Sequence, residues 1–265
     1  MQTEAAPGYM LANADDGERQ RLAAIEAAYD PGSKKYLSRL GLRVGSRVLV
    51  AGAGGGSIVR WAAETVGVTG EVVAIDIDTR FVEPIAQLHP NVRVVRADIT
   101  AEQLPGGFDI VHARLLLGHL PQREQVLGAL AAALLPGGAL LVEDFDWGSY
   151  GPAEPNPAAE KAIEAVTTFV RSAGFDTAFG RRLPGVMRAA GLEDVDAEGL
   201  VLTLRGATFP LEPMFRQTFN RLLPRLVESG LMTAEDAAAL HRRFDDPGHD
   251  MCTQTLMSVW GRRPI

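Results

Sequence analysis

The chain has 265 residues, 46% of them hydrophobic, which is enough to bury a large core and is an ordinary size for one α/β enzyme domain with insertions. Its 26 basic and 33 acidic residues leave a formal net charge of −7, and no Lys/Arg-rich cluster with interleaved aromatics occurs; both observations argue against a nucleic-acid partner. The single cysteine, Cys252, excludes an internal disulfide and reads as a buried, inert thiol.

Residues 1–12 are expected to form an irregular arm, and residues 1–11 lack the basic start and apolar core of a secretory signal. Asn13 and Asp16 make a capping pattern before Leu22, Ile25, Ala28 and Tyr29, which recur at helical spacing. Pro31-Gly32 predicts the end of that helix, and a short helix over 34–40 stops at Gly41. Strands are then predicted near 47–51, 71–76, 92–97, 108–113 and 139–144, and helices over 57–66, 79–88 and 122–134. Such alternation implies a parallel sheet with helices on both faces. After Glu143 the rhythm changes. An acidic, aromatic loop from Asp144 to Pro152 leads to helices over 157–173 and from Pro184 to Ala190, and then to a strand near 195–204. Helices over 210–229 and 234–244, the second capped by Thr233 and Asp236, precede a last strand near 253–260. The longest apolar stretch, 126–135, falls short of the ~18 residues that span a bilayer. The expectation is a cytoplasmic protein without a membrane segment.

The stretch from Val48 to Ser57 reads as a buried strand running into a glycine-rich turn and a helix. Open α/β sheets bind nucleotides at such a strand tip. The spacing is Gly-x-Gly-x-Gly, on Gly52, Gly54 and Gly56; a dinucleotide fingerprint would need its third glycine where Ser57 stands. No Gly-Lys-Ser/Thr follows, so a phosphate loop is excluded as well. Asp76 ends the next strand, where its carboxylate can accept hydrogen bonds from both hydroxyls of a ribose. Asp98 ends another, placed to accept from the amino group of an adenine, with Ile77 and Ile99 supplying apolar faces for the ring. Asp76 as a helix cap and Asp98 as a turn residue are the bland alternatives.

Taken in order, the glycine turn, Asp76, Ala97-Asp98-Ile99, Phe108-Asp109-Ile110-Val111 and Leu134-Leu135-Pro136-Gly137-Gly138 resemble the class I S-adenosylmethionine-dependent methyltransferases. Within that class the chain is similar to the small-molecule enzymes of the ubiquinone/menaquinone type, as found in bacterial secondary metabolism. The resemblance implies a Rossmann-like, seven-stranded, mostly parallel sheet with helices on both faces and a helical lid. It implies one domain over 1–265: an N-terminal helical arm 1–45, a cofactor-binding core 46–145, lid helices within 146–180 and 208–245, and closing strands near 195–204 and 253–260. S-adenosyl-L-methionine would be the cofactor and S-adenosyl-L-homocysteine its product. Tyr9, Ala51, Gly52, Ala53, Gly54, Gly56, Asp76, Ile77, Ala97, Asp98, Ile99, Ala113 and Arg114 would surround the cofactor. One departure is Val50, which stands where the family usually has an acid near the methionine end.

The expected activity is methyl transfer to oxygen or carbon of a small molecule. The alternative is a cyclisation or rearrangement on the same scaffold. His119, Asp144 and Asp146 are the catalytic candidates. His119 is expected first to shape or gate the site and only second to act as a base. Trp147, Tyr150 and Phe145 suit the wall of an aromatic or polyketide-like acceptor. Asp144 and Asp146 lack a third oxygen ligand, so no metal is predicted. Oligomeric state stays open, with a homodimer as the candidate assembly.

Overall fold

The computed structural model describes residues 16–205, 210–243, 245–246 and 250–265. The first five strands are β1 (Arg47–Ala51), β2 (Glu71–Asp76), β3 (Val92–Arg96), β4 (Phe108–Arg114) and β5 (Leu134–Asp146). Near the C-terminus, β10 (Thr255–Arg262) inserts between β5 and β7 (Glu193–Leu200), giving the order β3-β2-β1-β4-β5-β10-β7. Pairings among β1 to β5 are parallel, and β10 runs antiparallel to both of its neighbours.

Successive strand residues face opposite sides of the sheet. Leu49, Ala51, Val73 and Ile75 therefore join a core with α4 (Arg123–Ala132) and α6 (Phe179–Ala189). Val48, Val50, Val72 and Ala74 join another with α2 (Ser57–Val66), α3 (Glu83–Leu88) and the second half of α1 (Asp16–Arg39). Apolar residues on both faces are what a strand covered by helices on both sides requires. The sheet order reverses between β1 and β4, and the carboxyl ends there open the crevice that binds ligands in such sheets.

A third core lies beyond the strand tips. It joins α5 (Pro157–Ser172), α7 (Glu212–Glu228) and α8 (Ala234–Arg243) to Ile25 and Tyr29 of α1 and to Tyr150. Beneath these helices is a small antiparallel sheet, β6 (Gly151–Pro152), β9 (Asp250–Cys252) and β8 (Thr203–Arg205), in the order β6-β9-β8. Each of its strands continues the chain line of β5, β10 or β7. Thr253 stitches the breaks together: its amide donates to Leu202 O (2.9 Å), its hydroxyl accepts from the Leu202 amide (2.9 Å), and its carbonyl accepts from Ser149 Oγ (2.9 Å). No helix among the described residues is long and apolar enough to cross a membrane.

Several sequence expectations are corrected. α1 runs through Pro31 instead of stopping there, because Pro31 is exposed while Asp30 and Ser33 on either side are buried in tertiary hydrogen bonds. The helix expected over 79–88 begins only at Glu83, after a turn closed on the Thr79 carbonyl; Pro84 suits a first turn and not a helix interior. The strands expected near 195–204 and 253–260 each appear as two pieces, and the small sheet they help to build was not foreseen. Cys252 is partly exposed on β9, not buried. The Asn13 capping pattern lies outside the described residues.

Candidate active site

The turn after β1 is held by the end of β2. The Gly52 and Ala53 amides donate to Ile75 O at 2.9 and 3.3 Å, and the Gly54 amide donates to Asp76 Oδ2 at 2.9 Å. Gly54 and Gly56 have φ of 54° and 88°, the left-handed region where a side chain is strained. A Cβ on Gly56 would also collide with Ile85 and meet Val82 at 3.0 Å, so α3 can close on the turn only because that position is bare. The second Asp76 oxygen accepts from the Asp78 amide at 3.0 Å. Burial raises the Asp76 carboxyl above the ordinary value, against the lowering effect of the Asp78 and Gly54 amides. Each oxygen keeps acceptor capacity toward the crevice.

Asp98 is exposed after β3, and its Oδ1 accepts both the amide (2.9 Å) and the hydroxyl (2.7 Å) of Thr100. Ile77 is 42% exposed at the tip of β2, an unusual place for a large apolar side chain, and Ile99 is half-buried. Ala51, Ala97 and Ala113 are buried at the strand ends, small enough to leave the crevice open.

Arg114, at the end of β4, is tied to α1. Its Nη2 donates to Asp30 Oδ1 at 2.9 Å and its Nη1 to Ser33 Oγ at 2.8 Å. Asp30 also accepts from the Ser57 hydroxyl (3.0 Å) and pairs with Lys34 (3.1 Å). Ser33 in turn donates to Glu143, a fully buried carboxylate on β5. The other Glu143 partners are His112 Nε2 at 3.0 Å and Ser258 Oγ at 2.6 Å. Burial alone would raise the Glu143 carboxyl; the hydrogen bonds from His112 and Ser258 and the charges of His112 and Arg114 outweigh it and hold the group below its usual range. A buried carboxylate is tolerated only when it is paired and hydrogen-bonded in this way.

His119 sits in the turn after β4 with its ring edge against Phe175, centroids 4.7 Å apart. Burial, followed by the charges of Arg21 and Arg123, lowers the imidazole to about 4, so it is neutral at physiological pH. Asp144 is 1% exposed and holds that turn, accepting from the Gly118 amide at 2.7 Å and from its neighbour Phe145 at 2.9 Å. Burial pushes its carboxyl up to about 6 despite those two amides. Asp146 points elsewhere: it pairs with Arg181 of α6 at 2.6 Å and accepts the Gly148 amide at 3.1 Å. Trp147 packs between Phe175 and Tyr150 (centroids 5.7 and 5.5 Å), and Tyr150 stacks on Phe215 of α7 at 5.8 Å.

The structure thus gathers the glycine turn, Asp76, Ile77, Ala97, Asp98, Ile99, Ala113 and Arg114 at adjoining strand tips, with His119 and Asp144 beyond them. Asp146 is drawn off to α6, and Tyr9 lies outside the described residues. Sequence reading missed Glu26, Asp30, Ser33, Glu143 and Ser258. The available signal was Glu143, the first acid of β5, directly after the apolar run Ala139–Val142.

A bare glycine cradle and a strand-tip carboxylate stand at the switch point of a Rossmann-like, mostly parallel sheet, the place where such folds bind nucleotides. Residues 48–138 match the methyltransferase domain family model. The chain is 28% identical over 231 residues to methyltransferase str2 of Strobilurus tenacellus, covering 85% of this chain and 79% of that one. It is 37% identical over 114 residues to the ubiquinone/menaquinone biosynthesis C-methyltransferase UbiE of Ectopseudomonas mendocina (strain ymp), covering 40% of this chain and 44% of that one. Among solved structures, a putative methyltransferase from Bacillus halodurans superposes with TM-score 0.59 at 18% identity, covering 88% of this chain and 98% of the other. A Haemonchus contortus phosphoethanolamine N-methyltransferase complex containing S-adenosylhomocysteine gives 0.57 at 17%, covering 91% and 56%. The [4+2]-cyclase SpnF also gives 0.57 at 17%, covering 90% and 82%. Residues 48–138 thus match a methyltransferase domain, the chain over most of its length is similar to curated methyltransferases, and its fold is the one those solved structures share.

Proposed function

We propose that the crevice between the glycine cradle and the roof of α5, α7 and α8 binds the cofactor below and a small-molecule acceptor above, the whole chain working as one catalytic unit. The observation that carries this reading is the Gly54–Asp76 hydrogen bond, which presents a carboxylate and bare backbone together at the switch point. Asp76 would take the ribose hydroxyls. Ile77 and Ile99 would flank the adenine, and Asp98, through its capacity beyond Thr100, would accept from the adenine amino group. The cofactor supplies an electrophilic methyl group on a sulfonium. The chain then has to orient the acceptor in line with it and exclude water.

His119, neutral and packed on Phe175, accepts a hydrogen bond without bringing a charge near the sulfonium. With its imidazole lowered to about 4 it is a weak proton acceptor, which favours orientation of the acceptor over its full deprotonation. Asp144 serves that step as a positioning residue, through the Gly118 amide. Trp147, Tyr150, Phe175 and Phe215 present apolar rings from above, suited to a flat acceptor. The net charge of −7 favours a small molecule over a nucleic acid.

The test is calorimetric titration with S-adenosylmethionine and S-adenosylhomocysteine, followed by an acceptor screen that reads S-adenosylhomocysteine release. Micromolar binding and release in proportion to methylated product support the proposal. Product without S-adenosylhomocysteine would turn the reading toward cyclisation. Asp76→Ala should weaken cofactor binding by about 1–3 kcal/mol, the cost of losing charged hydrogen bonds.

A further inference from the structure

We infer that helix α1 is the receptor for the amino-acid end of the cofactor, Glu26 accepting from its α-ammonium and Tyr29 donating to its α-carboxylate. This rests on the methyltransferase reading of the crevice. Val50 is packed in the core at 3% exposure, so β1 brings no acid to the turn. Three other carboxylates stand around it. Asp76 is on the β2 side, its oxygens holding the Gly54 and Asp78 amides and their remaining capacity assigned above to the ribose hydroxyls. Asp30 is spent on Arg114, Ser57 and Lys34, which engage both of its oxygens. Glu26 overhangs Gly55, where a Cβ would collide with it, and its Oε1 accepts from the Ser57 amide at 3.1 Å. Its Oε2 accepts from no described residue, and the side chain is only half-buried. It is the carboxylate with capacity left for a cation.

Tyr29 supplies an independent sign of a ligand. The residue is 1% exposed, and its hydroxyl has no hydrogen-bond partner among the described residues. Such a buried, unmatched hydroxyl is unfavourable unless something arrives to pair with it. The ring lies edge-on to Phe145 at 5.9 Å, and the Arg114 guanidinium acts on the phenol electrostatically. Burial raises the phenol above its ordinary value, so it stays protonated and can donate. Glu26 and Tyr29 are three residues apart on α1, neighbours along one side of the helix. The Arg114–Asp30–Ser57 chain of hydrogen bonds connects their surroundings. A zwitterion needs an anionic acceptor and a cation-assisted donor side by side, and this stretch of α1 offers both.

The experiment compares S-adenosylhomocysteine with 5′-methylthioadenosine, which shares the nucleoside and thioether but lacks the amino acid. Competition binding is read for wild type, Glu26→Gln, Tyr29→Phe and Asp76→Asn. Glu26→Gln keeps an oxygen for the Ser57 amide and removes only the charge. Glu26→Gln and Tyr29→Phe should each weaken S-adenosylhomocysteine roughly tenfold and leave 5′-methylthioadenosine within twofold, which also shows that the variant is folded. Asp76→Asn should weaken both ligands. Equal loss on the two ligands, or no loss on either, would overturn the assignment for the residue concerned. Failure of the wild type to bind S-adenosylhomocysteine at all would instead strike at the methyltransferase reading.

Discussion

The glycine cradle and the roof opposite it are built by contrary means. Around the cradle the chemistry is carried by backbone amides and one carboxylate, fixed by strand register and by glycine conformations that few other residues adopt. In the roof it is carried by side chains from distant stretches (Trp147, Tyr150, Phe175, Phe215) that meet only through packing. A site made of backbone tolerates almost no substitution but serves any acceptor. A wall of rings can be repacked, and there specificity can change while the cofactor contacts stay fixed.

The sharpest way to break that contrast is Gly56→Ala. The added methyl would meet Ile85 and Val82 at a left-handed φ of 88°, so a loss of about 2–4 kcal/mol in stability is expected, with cofactor binding impaired. Chemical denaturation and titration measure both effects. A stable variant with normal binding would show the cradle to be far more pliant than argued.

The next largest effects concern the seam between the regions. His119, lowered to about 4 from 6.5, contributes stability that is complete above pH 6.5 and is lost as pH falls toward 4. Asp144, raised to about 6 from 3.8, does the reverse: its contribution is complete below about pH 4 and is lost as pH rises through 6. The two oppose each other, each worth at most about 3 kcal/mol. His119→Gln should therefore flatten the acid loss of stability between pH 6.5 and 4, and Asp144→Asn should steepen it. Denaturation midpoints at pH 4.5 and 7 decide the matter; parallel profiles for both variants would sink the pairing. The smallest effect belongs to Asp146→Asn, which should leave turnover unchanged because that carboxylate serves Arg181. A drop in kcat would restore it to the catalytic site.

Legibility in the sequence followed the same divide. The parallel sheet and the cradle could be read because Gly52, Gly54, Gly56 and Asp76 must fall at fixed steps from apolar strands. The path of α1 could not, since Pro31-Gly32 is local punctuation that long-range anchors at Asp30 and Ser33 override. Nor could the small sheet be foreseen. Pieces of two and three residues carry no period, and what fixes them is Thr253 bridging Ser149 and Leu202.

That small sheet bears on how this scaffold can be re-engineered. The roof is not a cassette inserted at one loop. The chain crosses between it and the main sheet four times, after Ser149, between α5 and α6, around Leu202 and at Thr253. A transplant of acceptor preference from a relative would have to carry β6, β8 and β9 as a matched set with their helices. Exchanging α5 or α7 alone would leave the seam mismatched.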